Sequence, residues 1–262
     1  MYLKTIIRLK ADMMSQQIIS WPGAVEDILK RLRYSPARLN SNGKGKTVSV
    51  GYQCIDGSPS KPVLQSPKMF APFGYNHYVP DTEGGYDKYS IALTFKGDSP
   101  RMLEFLALMR SIDEANVEMA FQNQEALFGE KSKSRDIIED RYTKIVNHKN
   151  EKYEPRITGR LRFVNDSYSG LVFNDASPPV EVGLSYIGQE RCSIVALVEL
   201  GPIWIADKKF GQTLNIIQMK VYKQQNIAHN AIQDDPMDTG TVDQEEADVD
   251  SYSSYCAFSN TP

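Results

Sequence analysis

Arg156, Thr158, Arg160 and Arg162 alternate with Ile157, Gly159, Leu161 and Phe163 along the stretch RITGRLRF. In an extended chain successive side chains point to opposite faces, so one face gathers three guanidinium groups and the other is apolar. Three like charges on one strand face repel one another unless an anion or a set of carboxylates meets them. A second stretch, GPIWIADKKFGQTLNIIQMKVY, combines Lys208, Lys209 and Lys220 with Trp204, Phe210 and Tyr222. A third, PVLQSPKMFAPFGYNHY, brings Phe70, Phe73, Tyr75 and Tyr78 within nine positions. Cations neutralise phosphates and aromatic rings stack on bases, which is the chemistry of sequence-tolerant binding to single strands. The bland use of the same residues is a solvated or salt-bridged surface with its rings packed in a core. Alternation alone does not say which rings stack and which are core.

Other chemistry finds little support. His77, His148 and His229 show no metal-ligand spacing with one another or with Cys54, Cys192 and Cys256. No Gly-x-Ser-x-Gly nucleophile element occurs. Gly45-Lys46-Thr47 suggests a phosphate loop, but Asn40 stands where that motif needs glycine, and a strand follows where it needs a helix. No acidic pair stands out as a hydrolytic dyad, and neither metal nor cofactor is expected.

Net charge is −3 over 262 residues, which hides an uneven distribution. After Lys223 there is no Lys or Arg, and there are eight acids: Asp234, Asp235, Asp238, Asp243, Glu245, Glu246, Asp248 and Asp250. The 33 acids less these eight leave 25 against 30 bases, a net of +5 before the tail. A mildly basic body followed by an acidic tail is a different object from a neutral protein. The tail, 224–262, lacks periodicity and is expected to be disordered, although Tyr252, Tyr255 and Phe258 give its end aromatic anchors. Three widely spaced cysteines suggest a reducing compartment, and the N-terminus is too charged for a secretory signal.

The elements that would position these residues are mostly strands. Alternation predicts strands at Thr47–Tyr52, Tyr89–Phe95, Arg156–Phe163, Leu171–Phe173, Val180–Leu184, Ser193–Leu200, Ile203–Ala206 and Thr213–Tyr222. In the last of these, Ile217, Met219 and Val221 share one face, and Gln218, Lys220 and Tyr222 the other. The prolines of residues 62–78 suit edge strands or an ordered loop. Ala24–Leu32 reads as a short helix. Asp98-Ser99-Pro100 caps a longer one, with Met102, Phe105, Leu106, Met109, Ile112 and Met119 at helical spacing. A further helix over Ser134–Val146 completes a helical insert at 98–148.

Taken together, LQSPKMFAPFGYNHY, KYSIALTF, SIDEANVE, YEPRITGRLRF and GPIWIADKKFGQTLNIIQMKVY resemble the single-stranded DNA-binding proteins of nucleocytoplasmic large DNA viruses. These include the algal, amoebal and swine-fever types. The likeness runs from about Thr47 to Tyr222, in order and spacing. It implies a mainly β fold, an OB-fold-like β-barrel with a helical insertion, related to podophage single-stranded DNA-binding proteins. It also implies a role in viral DNA replication, recombination and repair, in the host cell cytoplasm or nucleus. The expected organisation is an N-terminal extension over 1–46, a binding domain over 47–223 and the acidic tail. Single-stranded DNA is the expected partner, with replication proteins met through the tail; a homo-oligomer is left open. The resemblance departs at the end of the chain, where Phe258 is followed by Ser259-Asn260-Thr261-Pro262 rather than standing at the terminus. A virion structural or protein-interaction β module is the alternative, using the same rings for an interface.

Overall fold

The computed structural model describes residues 17–41, 43–81, 86–148, 150–188 and 191–223. All fall within one compact unit, Met1–Gln224. The acidic tail lies outside the described residues.

The first part of the chain contributes β1 (Ile18–Ile19), α1 (Val25–Arg31), β2 (Leu32–Tyr34), β3 (Arg38–Leu39), β4 (Lys46–Val48) and β5 (Val50–Gln53). Next come β6 (Pro59–Ser60), β7 (Val63–Gln65), β8 (Met69–Ala71), β9 (Tyr75–Tyr78) and β10 (Lys88–Thr94). The helical insertion holds α2 (Pro100–Gln122), α3 (Gln124–Phe128), α4 (Arg135–Asp140) and the short β11 (Tyr142–Thr143). The chain then returns to strands: β12 (Arg156–Leu161), β13 (Phe163–Val164), β14 (Ser167–Tyr168), β15 (Leu171–Phe173), β16 (Glu181–Val182), β17 (Cys192–Ala206) and β18 (Lys209–Lys223). The protein is thus mainly β with a helical insertion.

The hairpin β17–β18 is the hub. Its first strand pairs with β4, β7 and β8, and its second with β11, β12 and β15. Pairings also link β8 to β10 and β10 to β12. Hydrogen bonding therefore returns on itself through β17, β8, β10, β12 and β18. Gly159 permits this where β12 lies against β18, because a Cβ there would collide with the Ile216 side chain.

The inner faces supply the apolar residues that alternation assigns to them. Ile91, Leu93, Ile157, Leu161, Ile194, Val198, Met219 and Val221 are buried, and the α2 stripe of Met102, Phe105, Leu108, Met109 and Ile112 packs in the same core. Ser99 caps α2, its hydroxyl accepting from the Met102 amide at 3.3 Å. Trp21 and Ile28, from the segment before β2, also enter this core, and Trp21 lies 5.1 Å from the Phe105 ring. A second cluster joins Val117, Leu127, Ile138 and Tyr142 of the insert to Ile203, Ile205 and Phe210 of the hairpin.

Five expectations change. Ser193–Leu200 and Ile203–Ala206 are parts of one 15-residue strand, interrupted by a register shift between Leu200 and Ile203. Gly201 belongs there because a Cβ would meet the Thr213 carbonyl at 2.8 Å, and Pro202, which has no N–H to donate, is tolerated at such an irregularity. The hairpin connection shrinks to Asp207 and Lys208, whose φ values of 48° and 67° make the two-residue turn that suits strand twist. Ile217 is skipped where Leu197 pairs with Gln218 and Val198 with Ile216, so it leaves the buried face and Ile216 takes that place. Finally, α4 ends at Asp140 rather than Val146, because Tyr142 pairs in parallel with Phe210 and is buried there, and the strand expected over Val180–Leu184 is only Glu181–Val182 before a 3-10 turn.

A buried polar cluster fastens the insert. Asp113 accepts from the Tyr142 hydroxyl at 2.7 Å and from the Ile145 and Val146 amides at 2.8 and 3.2 Å. Asn116 donates to Gln212 at 2.8 Å and to the Tyr142 hydroxyl at 2.9 Å, and accepts from Tyr34 at 3.0 Å. Burial raises the Asp113 pKa against the opposing pull of these donors, and it raises those of Tyr34, to about 12, and of Tyr142. Removing one member would leave its partners desolvated and unpaired.

Candidate nucleic-acid interface

Strand β12 shows strict alternation: Arg156, Thr158 and Arg160 are exposed, while Ile157, Gly159 and Leu161 are buried. Arg162, just beyond, is exposed as well. Among the described residues none of the three arginines has an ion pair or a side-chain hydrogen-bond partner.

At its Arg156 end this column meets a row that crosses the strands. Arg156 is in register with Thr94, Thr94 with Phe70, Phe70 with Ser193 and Ser193 with Tyr222. The strands are about 4.8 Å apart, so the row spans roughly 19 Å. Each of these residues faces outward, with Ile157, Leu93, Met69, Ala71, Ile194 and Val221 buried beside them. Three lysines cover the two rings. Lys96 Nζ stands 4.8 Å from the Phe70 centroid, and Lys68 and Lys220 stand 4.0 and 5.4 Å from that of Tyr222. A half-exposed ring with ammonium groups over it offers a stacking surface and phosphate contacts at one place. At the other end of β12's neighbour β10, Lys88 lies 5.8 Å from the Tyr78 ring, which is 50% exposed.

The structure divides the residues singled out in the sequence. Arg156, Arg160, Arg162, Phe70, Tyr222 and Lys220 share the outer face of the closed strand circuit, and Tyr78 lies on β9, paired to its β10. Phe73, 69% exposed, lies in the turn just after β8. Tyr75 is half-buried and packs against the core. Trp204, Lys208, Lys209 and Phe210 are elsewhere, because Trp204 pairs with Gly211 eleven residues along β17 from Ser193. That is about 35 Å of strand contour.

Two of these residues have other work. Phe210 is fully buried, 4.9 Å from the Tyr142 ring and 5.5 Å from Phe128, so it is core and not a stacking residue. Lys208 Nζ is 2.7 Å from Glu130, which also pairs with Arg141 at 2.9 Å. This ion-pair cluster holds the hairpin tip to the insert, and its two cations, Lys208 first, pull the Glu130 pKa down to about 2. Lys209 is exposed beside the tip. Conversely, Lys68 and Lys96 escaped the sequence reading. Each stands next to an aromatic-bearing or strand-ending segment, but what it covers depends on pairing between β8, β10 and the distant β17.

Among the described residues no group of three or more His, Cys, Asp or Glu side chains is placed to hold a metal ion. No described helix is long and apolar enough to cross a membrane.

The chain belongs to the family described as "Family of unknown function (DUF5871)", whose model matches residues 97–235, more than half of its length. No curated protein matches it. Among solved structures, it is similar to the single-stranded DNA-binding protein gp2.5 of bacteriophage T7. The identity is 12%, with 67% of this chain and 99% of that one covered, at a TM-score of 0.43. It is also similar to the single-stranded DNA-binding protein of bacteriophage Enc34 in complex with ssDNA. There the identity is 16%, with 74% and 97% covered, at a TM-score of 0.39.

Proposed function

We propose that this protein binds single-stranded DNA without sequence preference, on the outer face of an OB-like barrel formed by the closed strand circuit. One observation carries the reading. The cations of this face have no carboxylate partners among the described residues, and its lysines cluster around half-buried rings. An OB barrel presents such a face to single strands, where a cationic track follows the backbone and rings take the bases. A duplex hides its bases, so the rings of this strip would be wasted on it. The resemblance of the sequence to the viral proteins extends the proposal to replication, recombination and repair of a viral genome, with the acidic tail as an internal competitor for the strip and a contact for replication proteins.

The test is a titration of fluorescent oligo-dT and of a duplex of equal length at several salt concentrations. Single strands should bind more tightly, and affinity should fall as salt rises. Removing residues 224–262 should tighten binding most at low salt, where screening is weakest. Equal affinity for duplex and single strand, or no salt dependence, would return the rings to the protein-interaction alternative.

A further inference from the structure

Five residues along β10 from Thr94, about 17 Å of strand, the side of the sheet that elsewhere faces the core opens into a cleft of about 500 Å³. Its wall is a ladder of rings. His77 and Tyr89 are stacked at 4.2 Å with 6° between their planes, Tyr89 and Phe163 at 3.7 Å with 16°, and Tyr168 follows at 6.2 Å, tilted. Val172 and Leu184 complete an apolar floor, and Asp166 and Glu181 stand in the lining. A third carboxylate, Asp87, is 2.7 Å from His77 Nε2. Among the described residues no Lys or Arg lines the cleft.

The chemistry is the opposite of the cationic strip. The Tyr89 phenol is held above its ordinary pKa, first by desolvation and then by Asp87, the Tyr75 phenol and Asp166, which marks a negative field at the ladder. A nucleotide entering here would bring phosphate toward carboxylates with no described Lys or Arg side chain in the lining to meet it. A planar cation suits both parts of the site: Tyr89 is covered on both faces by His77 and Phe163, so a guanidinium would lie on a ring face at the end of the stack, and it pairs with carboxylates through its fork of N–H groups. We propose that this cleft receives an arginine side chain from a basic segment of a partner protein. The inference stands on the cleft alone and does not require that the strip bind DNA.

The experiment uses the full chain, isotope-labelled for NMR, and two peptides: GRGRGR and its counterpart with citrulline at each arginine. Citrulline keeps the shape of the side chain and removes its charge. The arginine peptide should shift the resonances of Tyr89, Ser167 and Gly170, and the citrulline peptide should bind about two- to fivefold more weakly, the range of an exposed cation–ring contact. Asp166→Asn should weaken the arginine peptide similarly. Asp166 sits at φ 59°, a conformation asparagine accepts, so the variant keeps the turn. Equal binding of both peptides would reduce the cleft to an apolar groove and overturn the proposal. So would shifts confined to other surfaces, or oligo-dT moving the cleft resonances at lower concentration than the peptide does.

Discussion

In the helical insert Arg135 meets Glu114 and Glu139 at 2.5 and 3.2 Å, Lys144 meets Glu139 at 3.1 Å and Lys131 meets Glu125 at 2.8 Å. Arg141 shares Glu130 with Lys208. On the outer face of the sheet, Arg156, Arg160, Arg162, Lys68, Lys96 and Lys220 meet no carboxylate among the described residues, and the lysines lie over rings. Both regions are rich in charge. In the insert those cations are met by its own carboxylates. The sheet face leaves its charge open, at some cost in self-repulsion, which is what a surface kept for an external anion would do. A count of basic residues therefore says little about where an anion binds until the internal partners are subtracted.

The two regions differ most at their aromatic rings. Phe210→Ala should cost about 3–5 kcal/mol of stability in chemical denaturation, as for other fully buried aromatics, while the folded fraction binds oligo-dT normally. A variant that keeps its stability and loses DNA affinity would put Phe210 back among the stacking residues. Replacing Arg156, Arg160 and Arg162 together by alanine should leave stability nearly unchanged and lower the slope of log affinity against log salt by roughly 2, since each single-strand phosphate contact contributes about 0.7. An unchanged slope in a folded triple variant would mean that the arginine column serves something other than phosphate. Phe70→Ala and Tyr222→Ala should each cost about 1–3 kcal/mol of binding, read by the same titration, with little effect on the salt slope.

The smallest effect belongs to the hairpin tip. The Glu130 pKa falls from 4.5 in the unfolded chain to about 2 in the folded one. The stabilisation from its ion pairs is therefore present above the unfolded value and lost as pH falls through the folded one. Glu130→Gln should flatten the acid limb of the stability profile between about pH 4.5 and pH 2, and DNA binding at neutral pH should not change. An acid limb identical to the parent's would show that the tip cluster contributes nothing, as many surface pairs do.

Local pattern carried the sequence reading where neighbours in sequence decide the outcome. The alternation of β12 and the Ser99-Pro100 start of α2 are of that kind, and so is the buried stripe that follows. It failed where a residue's surroundings come from far along the chain. Phe210 follows Lys208 and Lys209 and looks exposed by association, but Tyr142 and Phe128 bury it from the insert. The same Tyr142 was read as helix because nothing nearby announces its pairing with β18. Lys68 and Lys96 gain meaning only once β8 is set between β10 and β17, a pairing that joins Phe70 to Ser193. The aromatic cleft went unread for a similar reason: His77, Tyr89 and Phe163 are spread over three strands.

The hub position of β17 and β18 also governs the order in which the molecule can be made. Translation delivers β4, β7, β8 and β12 before the hairpin they share as partner exists. Until residues 192–223 emerge, those earlier strands lack the edge that organises them, and their unpaired backbone groups are open to other chains. Pairings between residues so distant in sequence also make closure slow once the hairpin arrives. A nascent chain of this protein is accordingly most exposed to misassembly just before β17 and β18 leave the ribosome, and chain termination there would yield a strand-rich fragment with no template to fold upon.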